Sequence, residues 1–300
     1  MPAPVLFIAP TRIGDAVLAT SLLEHIHQRH PEARVTIVAS PFSAPLFEAY
    51  PALATLHVID KQTYGRHWWR IWKMAVRTRW SAVWDLRGSA LAYLCVTRRR
   101  HVFRGHPKPM PKLDQFQRQL ALPSLPCPVL WTTPINEARA RALIPDDLRV
   151  LVFAPSANWP PKQWPMEHFI TLAQQLLKGS YHGYRPMIIT AAHERAAAAP
   201  LLTALQEFSP IDATDGALTL LDLYACLRRA RGFVGNDSGL MHMAAAAGIP
   251  TLGLFGPTDA LTYQPVGARA SQLLAPDGKM TLLSPEKVAE KIISWQGEEK

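Results

Sequence analysis

Cysteine is scarce: the 300-residue chain has three, Cys95, Cys127 and Cys226, scattered and odd in number. That excludes a disulfide framework, and no metal-ligand spacing links them, so a reducing cytoplasm is the expected compartment. Charged residues are 18% of the chain against 48% apolar, the balance of an ordinary globular protein and not of a disordered one. Long apolar runs are also missing. The longest, around Leu240 to Phe255, is broken by His242 and by Gly248-Ile249-Pro250, so it reads as a buried helix and strand and not as a membrane span. The opening MPAPVLFIAPTRIGD has too short an apolar stretch and no basic flank for a signal peptide, and reads as a first β-strand. Pro10-Thr11-Arg12-Ile13-Gly14-Asp15 lacks the Gly-x-Gly-x-x-Gly spacing of a dinucleotide oxidoreductase.

What is present is a regular alternation. Strands are expected at 5–9, 34–39, 55–59, 81–85 and 101–103, with helices at 16–29, 43–50, 67–78 and 90–96 between them. After a proline-rich stretch at 122–147, read as a linker, strands at 149–153, 186–190, 232–234 and 251–255 alternate with helices at 166–177, 193–207, 219–229 and 240–247. Strands alternating with helices imply parallel sheets with right-handed crossovers, and the length suits two domains. The expected division is an N-terminal domain at 1–135, a C-terminal domain at 136–283 and a last amphipathic helix at 284–300, capped by Ser284 with Pro285 at its first position.

Charge is uneven. Between Asp60 and Leu120 fourteen Lys and Arg stand against three Asp, a net +11, within a total of +9. Five of the nine tryptophans, Trp68, Trp69, Trp72, Trp80 and Trp84, fall in the same stretch. Around 66–77 the spacing is amphipathic, with Trp68, Trp69, Trp72 and Val76 on one side and Arg66, Arg70, Lys73 and Arg77 on another. Such a helix either lies on an anionic membrane or covers a sheet while its cations stay solvated. No nucleic-acid-binding motif accompanies the charge, and no nucleic-acid partner is expected.

The most informative run is Gly235 to Asp259, GNDSGLMHMAAAAGIPTLGLFGPTD. A tight turn of small residues leads into a helix that Asp237 or Ser238 can cap, and a second turn, Gly256-Pro257-Thr258-Asp259, follows the next strand. A helix N-terminus reached through small residues offers free N–H groups and partial positive charge, which suits a diphosphate. Two polar loops at the ends of consecutive parallel strands are where open α/β sheets bind ligands. Taken alone, these residues equally build turns. Asp15 alone equally caps a helix, Lys162 equally sits in solvent, Glu194 equally serves a helix's first turn, and His242 equally fills a core.

Taken together, the motifs resemble glycosyltransferase family 9, which includes the ADP-heptose:lipopolysaccharide heptosyltransferases. Asp237-Ser238-Gly239, His242 and Gly256-Pro257-Thr258-Asp259 match its C-terminal signature, with Ala260 where proline is frequent. Lys162-Gln163-Trp164-Pro165 matches its Lys-x-Trp-Pro segment, Gly14-Asp15 its N-terminal motif, and Asp85-Leu86-Arg87-Gly88 its Asp-x-x-Gly turn.

The resemblance implies an α/β protein of GT-B type, two Rossmann-like domains facing a central cleft. It implies an inverting, metal-independent transferase with no cofactor, since no Asp-x-Asp motif is present. Asp15 would be the general base and Lys162 the cation facing the leaving diphosphate. Ser156, Asn158, Glu194, Asp237, Ser238, Gly239, His242, Gly256 and Thr258 would complete the donor site, with Glu194 on the ribose. Arg12, Arg87, Arg98, Arg100 and Arg104 are the candidate acceptor contacts, and Arg99, Lys108 and Lys112 are further cations of the same stretch that could meet the acceptor. The implied donor is a nucleotide sugar, ADP-heptose, and the acceptor an anionic glycolipid reached from the inner face of the cytoplasmic membrane. A nucleotide-sugar 2-epimerase and a non-catalytic nucleotide-sugar or lipid-binding protein are the rival readings.

Overall fold

A computed structural model describes residues 3–60, 66–105 and 108–297 of the chain, apart from the side chains of residues 66–68 and Arg70. It divides into two compact units, Met1–Trp131 and Thr132–Lys300.

The first unit is a five-stranded, wholly parallel sheet. Its elements run β1 (Pro4–Ile8), α1 (Ile13–Arg29), β2 (Arg34–Ala39), β3 (Leu53–Val58), α2 (Arg66–Ala75), β4 (Trp80–Asp85), α3 (Leu91–Leu94), β5 (Thr97–Val102) and α4 (Lys112–Leu120). The strand order is β3-β2-β1-β4-β5. The chain winds outward from β1 on one side and resumes with β4 on the other, so the order reverses between β1 and β4. Val5 to Ile8 are buried between β2 and β4, and α1 buries Val17, Leu18, Leu22 and Ile26.

Three segments of this unit differ from expectation. At 43–50 only a short 3₁₀ turn, Ala44–Phe47, forms. The last strand starts at Thr97, not at His101, because β5 is an edge strand paired with β4 on one side: Arg98 and Arg99 leave their side chains in solvent, and Arg100 turns its guanidinium toward α3. Among the described side chains of α2, Ile71 and Ala75, one turn apart, are buried, while Trp69 is exposed and stacked on Trp72 with Lys73 over its ring.

The second unit holds a six-stranded parallel sheet. It runs α5 (Pro134–Leu143), β6 (Val150–Ala154), α6 (Met166–Lys178), β7 (Arg185–Ile189), α7 (Arg195–Ala204), β8 (Ile211–Ala213), α8 (Leu220–Arg229), β9 (Gly232–Asn236), α9 (Gly239–Ala246), β10 (Thr251–Phe255), α10 (Ala260–Tyr263), β11 (Ala270–Leu274) and α11 (Pro285–Ile293). The order β11-β10-β9-β6-β7-β8 is doubly wound and reverses between β6 and β9. The two strands not anticipated, β8 and β11, are the sheet's edges. Their mixed sequences, Ile-Asp-Ala and Ala-Ser-Gln-Leu-Leu, lack the continuous apolar run that marks a central parallel strand.

Within the proline-rich stretch lies a helix, α5. Thr133 caps it, Pro134 occupies its first position where no N–H is needed, and Pro145 comes after its end. The buried Asp222 of α8 holds it in place, accepting from Asn136 Nδ2 at 2.8 Å and Arg139 Nη1 at 2.9 Å. Burial pushes the Asp222 carboxyl up, but the hydrogen bonds from Asn136, Thr219 and Arg139 outweigh it and hold the group below the usual carboxylate range. The final helix gives Val288, Ala289 and Ile292 to the core of the second unit, together with Trp295 beyond its end. Tyr181 donates its hydroxyl to Ile292 O at 2.8 Å, and a Cβ on Gly232 would stand 2.8 Å from the Trp295 ring, so only glycine lets that indole lie against β9.

Candidate active site

Parallel strands deliver their following loops to one edge, and the loops beside an order reversal have no crossover helix above them. In the second unit the loops after β6 and β9 flank the reversal, and those after β10 and β7 stand beside them.

Asn236, the last residue of β9, is fully buried and reaches across the reversal. Its Nδ2 donates to Pro155 O at 2.7 Å, and its Oδ1 accepts from Trp164 N at 3.0 Å. Both ends of the 155–164 loop are thereby fixed. Trp164 adds its indole N–H to Leu283 O at 2.8 Å, and Gln163 donates to Ala157 O at 2.6 Å. Lys162, between these anchors, is carried to Asp237, the residue after Asn236.

The Lys162 Nζ to Asp237 Oδ2 distance is 2.6 Å, with the side chains 19% and 6% exposed. Thr258 Oγ1 donates to the same oxygen at 3.0 Å, and Asp237 N donates to Leu254 O at 3.0 Å. One carboxylate oxygen therefore gathers a lysine from the β6 loop and a hydroxyl from the β10 loop. Lysine carries three N–H donors, and Asp237 takes one. A Cβ on Gly256 would lie 2.8 Å from Met280 and 3.1 Å from Pro161 O, so the β10 loop closes onto the β6 loop only with glycine there.

Ser238 occupies the N-cap position of α9, and Gly239 opens the helix. The Ser238 hydroxyl makes no cap bond: Oγ is buried and has no hydrogen-bond partner among the described residues. The first N–H groups of α9 thus keep their donors, and a hydroxyl stays unspent beside them. His242 is buried one turn into α9. Ser156 and Ala157 are buried in the β6 loop, whereas Asn158 is exposed. Glu194 follows β7 and is drawn into its own turn, where Oε2 accepts from Ala191 N at 3.4 Å. No hydrogen bond joins it to the Lys162 group.

In the first unit, Arg12 is the exposed N-cap of α1, and Asp15 lies in the first turn without capping it. The Asp15 carboxylate is 19% exposed, with Lys112 Nζ 3.6 Å from Oδ1. Ser40 and Ser43, after β2, fasten the preceding loop: Ser40 donates to Thr11 O at 2.9 Å and Ser43 to Pro10 O at 3.1 Å. Beyond the reversal, buried Asp85 accepts from Arg87 N, Ser89 N and the Ser89 hydroxyl, which sets the turn carrying Arg87. Burial lowers the Arg87 guanidinium pKa, opposed by the Asp85 charge.

The remaining arginines go elsewhere. Arg100 donates to Ala92 O at 2.6 Å and so braces α3, Arg104 donates to the Tyr93 hydroxyl at 2.7 Å, and Arg98 is exposed on the edge strand. Sequence reasoning missed Asn236 and the two serines, and it grouped Lys112 with the acceptor cations without foreseeing its pairing with Asp15. Asn236 stands inside the quoted signature, but nothing local shows that its amide reaches residues 72 and 81 positions away. Among the described residues, no group of three or more His, Cys, Asp or Glu is placed to hold a metal ion.

Two Rossmann-like units, each with polar side chains at the order reversal, and a helix N-terminus beside a fixed lysine define a nucleotide-sugar transferase of the GT-B class. The family model for glycosyltransferase family 9 (heptosyltransferase) matches residues 79–293, and the chain belongs to that family. Lipopolysaccharide heptosyltransferase 2 of Salmonella typhimurium is 24% identical over 310 residues, covering 89% of this chain and 86% of the relative. The Escherichia coli ADP-heptose lipopolysaccharide heptosyltransferase II structure superposes with a TM-score of 0.80 at 21% identity, covering 98% of this chain and 99% of that one. The Escherichia coli heptosyltransferase WaaC with ADP gives 0.74 at 21% identity, covering 97% and 99%. A UDP-GlcNAc 2-epimerase from Methanocaldococcus jannaschii is more distant, at 0.53 and 10% identity over 97% and 92%. The chain is a glycosyltransferase, and the epimerase reading is set aside.

Asn236→Ala strands the Trp164 N–H and the Pro155 carbonyl in the interior. The expected cost is about 2–4 kcal/mol of folding free energy, read as a lower urea midpoint with an unchanged slope.

Proposed function

We propose that the chain is an inverting, metal-independent transferase that moves heptose from ADP-heptose to a lipopolysaccharide core or a related cell-surface glycan. The observation that carries this reading is the Lys162–Asp237–Thr258 group beside an α9 N-terminus with an unspent Ser238 hydroxyl. Relatives crystallised with ADP and with ADP-2-deoxy-2-fluoro heptose support an ADP-sugar as donor.

The second unit holds the donor. The diphosphate meets the first N–H groups of α9 and the Ser238 hydroxyl, and Lys162 gives it the donors that Asp237 does not take. Asp237 orients the lysine and, held by Thr258, keeps its own charge turned away from the phosphates. Ser156, Gly239, His242, Gly256 and Thr258 shape the same pocket, Asn158 stands at its rim, and Glu194 takes the ribose hydroxyls. The first unit supplies the base. Asp15 accepts the proton of the acceptor hydroxyl as that oxygen forms its bond to the anomeric carbon. The bond from that carbon to the diphosphate breaks on the opposite face, and its electron pair leaves with ADP. Lys162 and the α9 N–H groups receive the departing charge, a stabilisation that is largest at the transition state. Arg12, before α1, and Arg87, in the turn after β4, meet the acceptor's anionic groups, and exposed Arg98 stands further along the same unit.

Asp15→Asn preserves shape and removes basicity, so turnover should fall by roughly 10²–10⁴-fold with donor KM unchanged. Turnover within threefold of the parent enzyme would remove Asp15 from this role.

Because Lys162 and the α9 terminus stand where a cation would act, transfer should persist in excess EDTA. Loss of activity restored by magnesium or manganese is the contrary result.

The acceptor's lipid anchor calls for contact with the inner face of the cytoplasmic membrane. No helix among the described residues is long and apolar enough to cross a membrane. Exposed Trp69, Tyr93, Leu94 and Val96 accompany Lys73, Arg77, Arg98 and Arg99 in the basic stretch, a pairing of interfacial aromatics and cations that suits anionic headgroups. The protein should sediment with anionic vesicles at low salt and release as salt rises, and joint neutralisation of Arg66, Arg70, Lys73 and Arg77 should weaken the binding. Equal binding by the parent and the quadruple variant would remove this contact.

A further inference from the structure

The partner of Asp15 is placed where local chemistry disfavours it. Lys112 is the first residue of α4, following Pro111, and a helix's first turn carries partial positive charge that works against a cation. The side chain is nevertheless folded inward, 14% exposed, with Nζ 3.6 Å from Asp15 Oδ1 and 5.2 Å from the centre of the Phe103 ring. A lysine at a helix start ordinarily turns to water, because its long side chain keeps its entropy and its hydration there. This one gives up both to face a carboxylate 97 residues away.

The two oxygens of Asp15 are not equivalent. Oδ1 is buried, accepts no hydrogen bond and faces the ammonium. Oδ2 has no protein hydrogen-bond partner among the described residues. The ammonium thus faces the buried oxygen, while the side chain as a whole keeps 19% of its surface exposed.

We propose that Lys112 is a positioning residue for the transfer reaction: it fixes Asp15 through Oδ1 so that Oδ2 alone is presented to the acceptor hydroxyl. This inference rests on Asp15 being the base. A carboxylate free to rotate about its Cα–Cβ and Cβ–Cγ bonds spends only a fraction of its time aimed at the hydroxyl, and the fixed geometry converts that search into a pre-oriented contact.

The test compares Lys112→Met, Lys112→Arg, Asp15→Asn and the Asp15→Asn/Lys112→Met double variant in steady-state transfer from the nucleotide sugar to a detergent-solubilised acceptor, with folding checked by thermal unfolding. The expected result is a 10–100-fold fall in kcat for Lys112→Met with both KM values within about twofold, and recovery to within about threefold of parental kcat in Lys112→Arg. The double variant should be no slower than Asp15→Asn alone, because the lysine acts only through the carboxylate. A rise in acceptor KM with kcat unchanged would make Lys112 an acceptor contact and overturn the proposal. So would an undiminished kcat, or a further loss in the double variant. If Lys112→Met is too unstable to assay, Lys112→Arg and Lys112→Gln give the same comparison. Should Asp15→Asn itself retain turnover, the base assignment fails first. Should Asp15→Asn be inactive while Lys112→Met is unimpaired, only the present inference fails.

Discussion

The amide of Asn236 joins two strands whose following loops would otherwise be independent. It sits at the point where the second sheet reverses its order, donates to the carbonyl that ends one side of the 155–164 loop and accepts from the N–H that ends the other. Because both contacts are buried, neither can be exchanged for water without cost. Everything that makes the lysine useful follows from this bridge. Trp164 is fixed beside it, the loop is short, and Lys162 is brought to the residue next to Asn236 in sequence.

Electrostatics then divides the labour. Asp237 concentrates a lysine and a threonine on one oxygen, so its charge is consumed locally while the lysine is held in one orientation. The α9 terminus contributes N–H groups that no side chain caps, since the Ser238 hydroxyl is left out of that bond. In the proposed reaction, a preorganised cation and a preorganised dipole together would stabilise charge that appears only as the diphosphate leaves, and they would need no rearrangement at that moment. The first unit repeats the logic with different groups: a carboxylate in the opening turn of a helix, a loop fastened by two serine hydroxyls, and a lysine brought in from a distant helix.

The basic stretch does more than one thing. Some of its arginines serve the fold, as Arg100 does in bracing α3, and others stay in solvent on an edge strand. Charge counted along the sequence could not separate these uses. Helical periodicity grouped Trp69 and Trp72 on one side of α2 but left open what that side meets; among the described side chains Ile71 and Ala75 are buried, and Trp69 is exposed and stacked on Trp72.

The sequence by itself determined the central strands, the doubly wound class, the helices beneath the signature and the family, because these depend on local patterns: apolar runs, glycine turns and short motifs with fixed spacing. The edge strands β8 and β11 were not legible, since an edge is defined by what lies beside it and their composition is mixed. Helix α5 was hidden among prolines whose positions, at the first turn and beyond the last, permit a helix that their number argues against. The last helix carries an amphipathic pattern that says it must be covered, but only tertiary structure shows that the second unit's core covers it. The same holds at the site. Asp15, Lys162 and Asp237 could be named from motifs, whereas the pairing of Lys112 with Asp15 and the reach of Asn236 are contacts between residues far apart in the chain, and no local pattern encodes a contact of that kind.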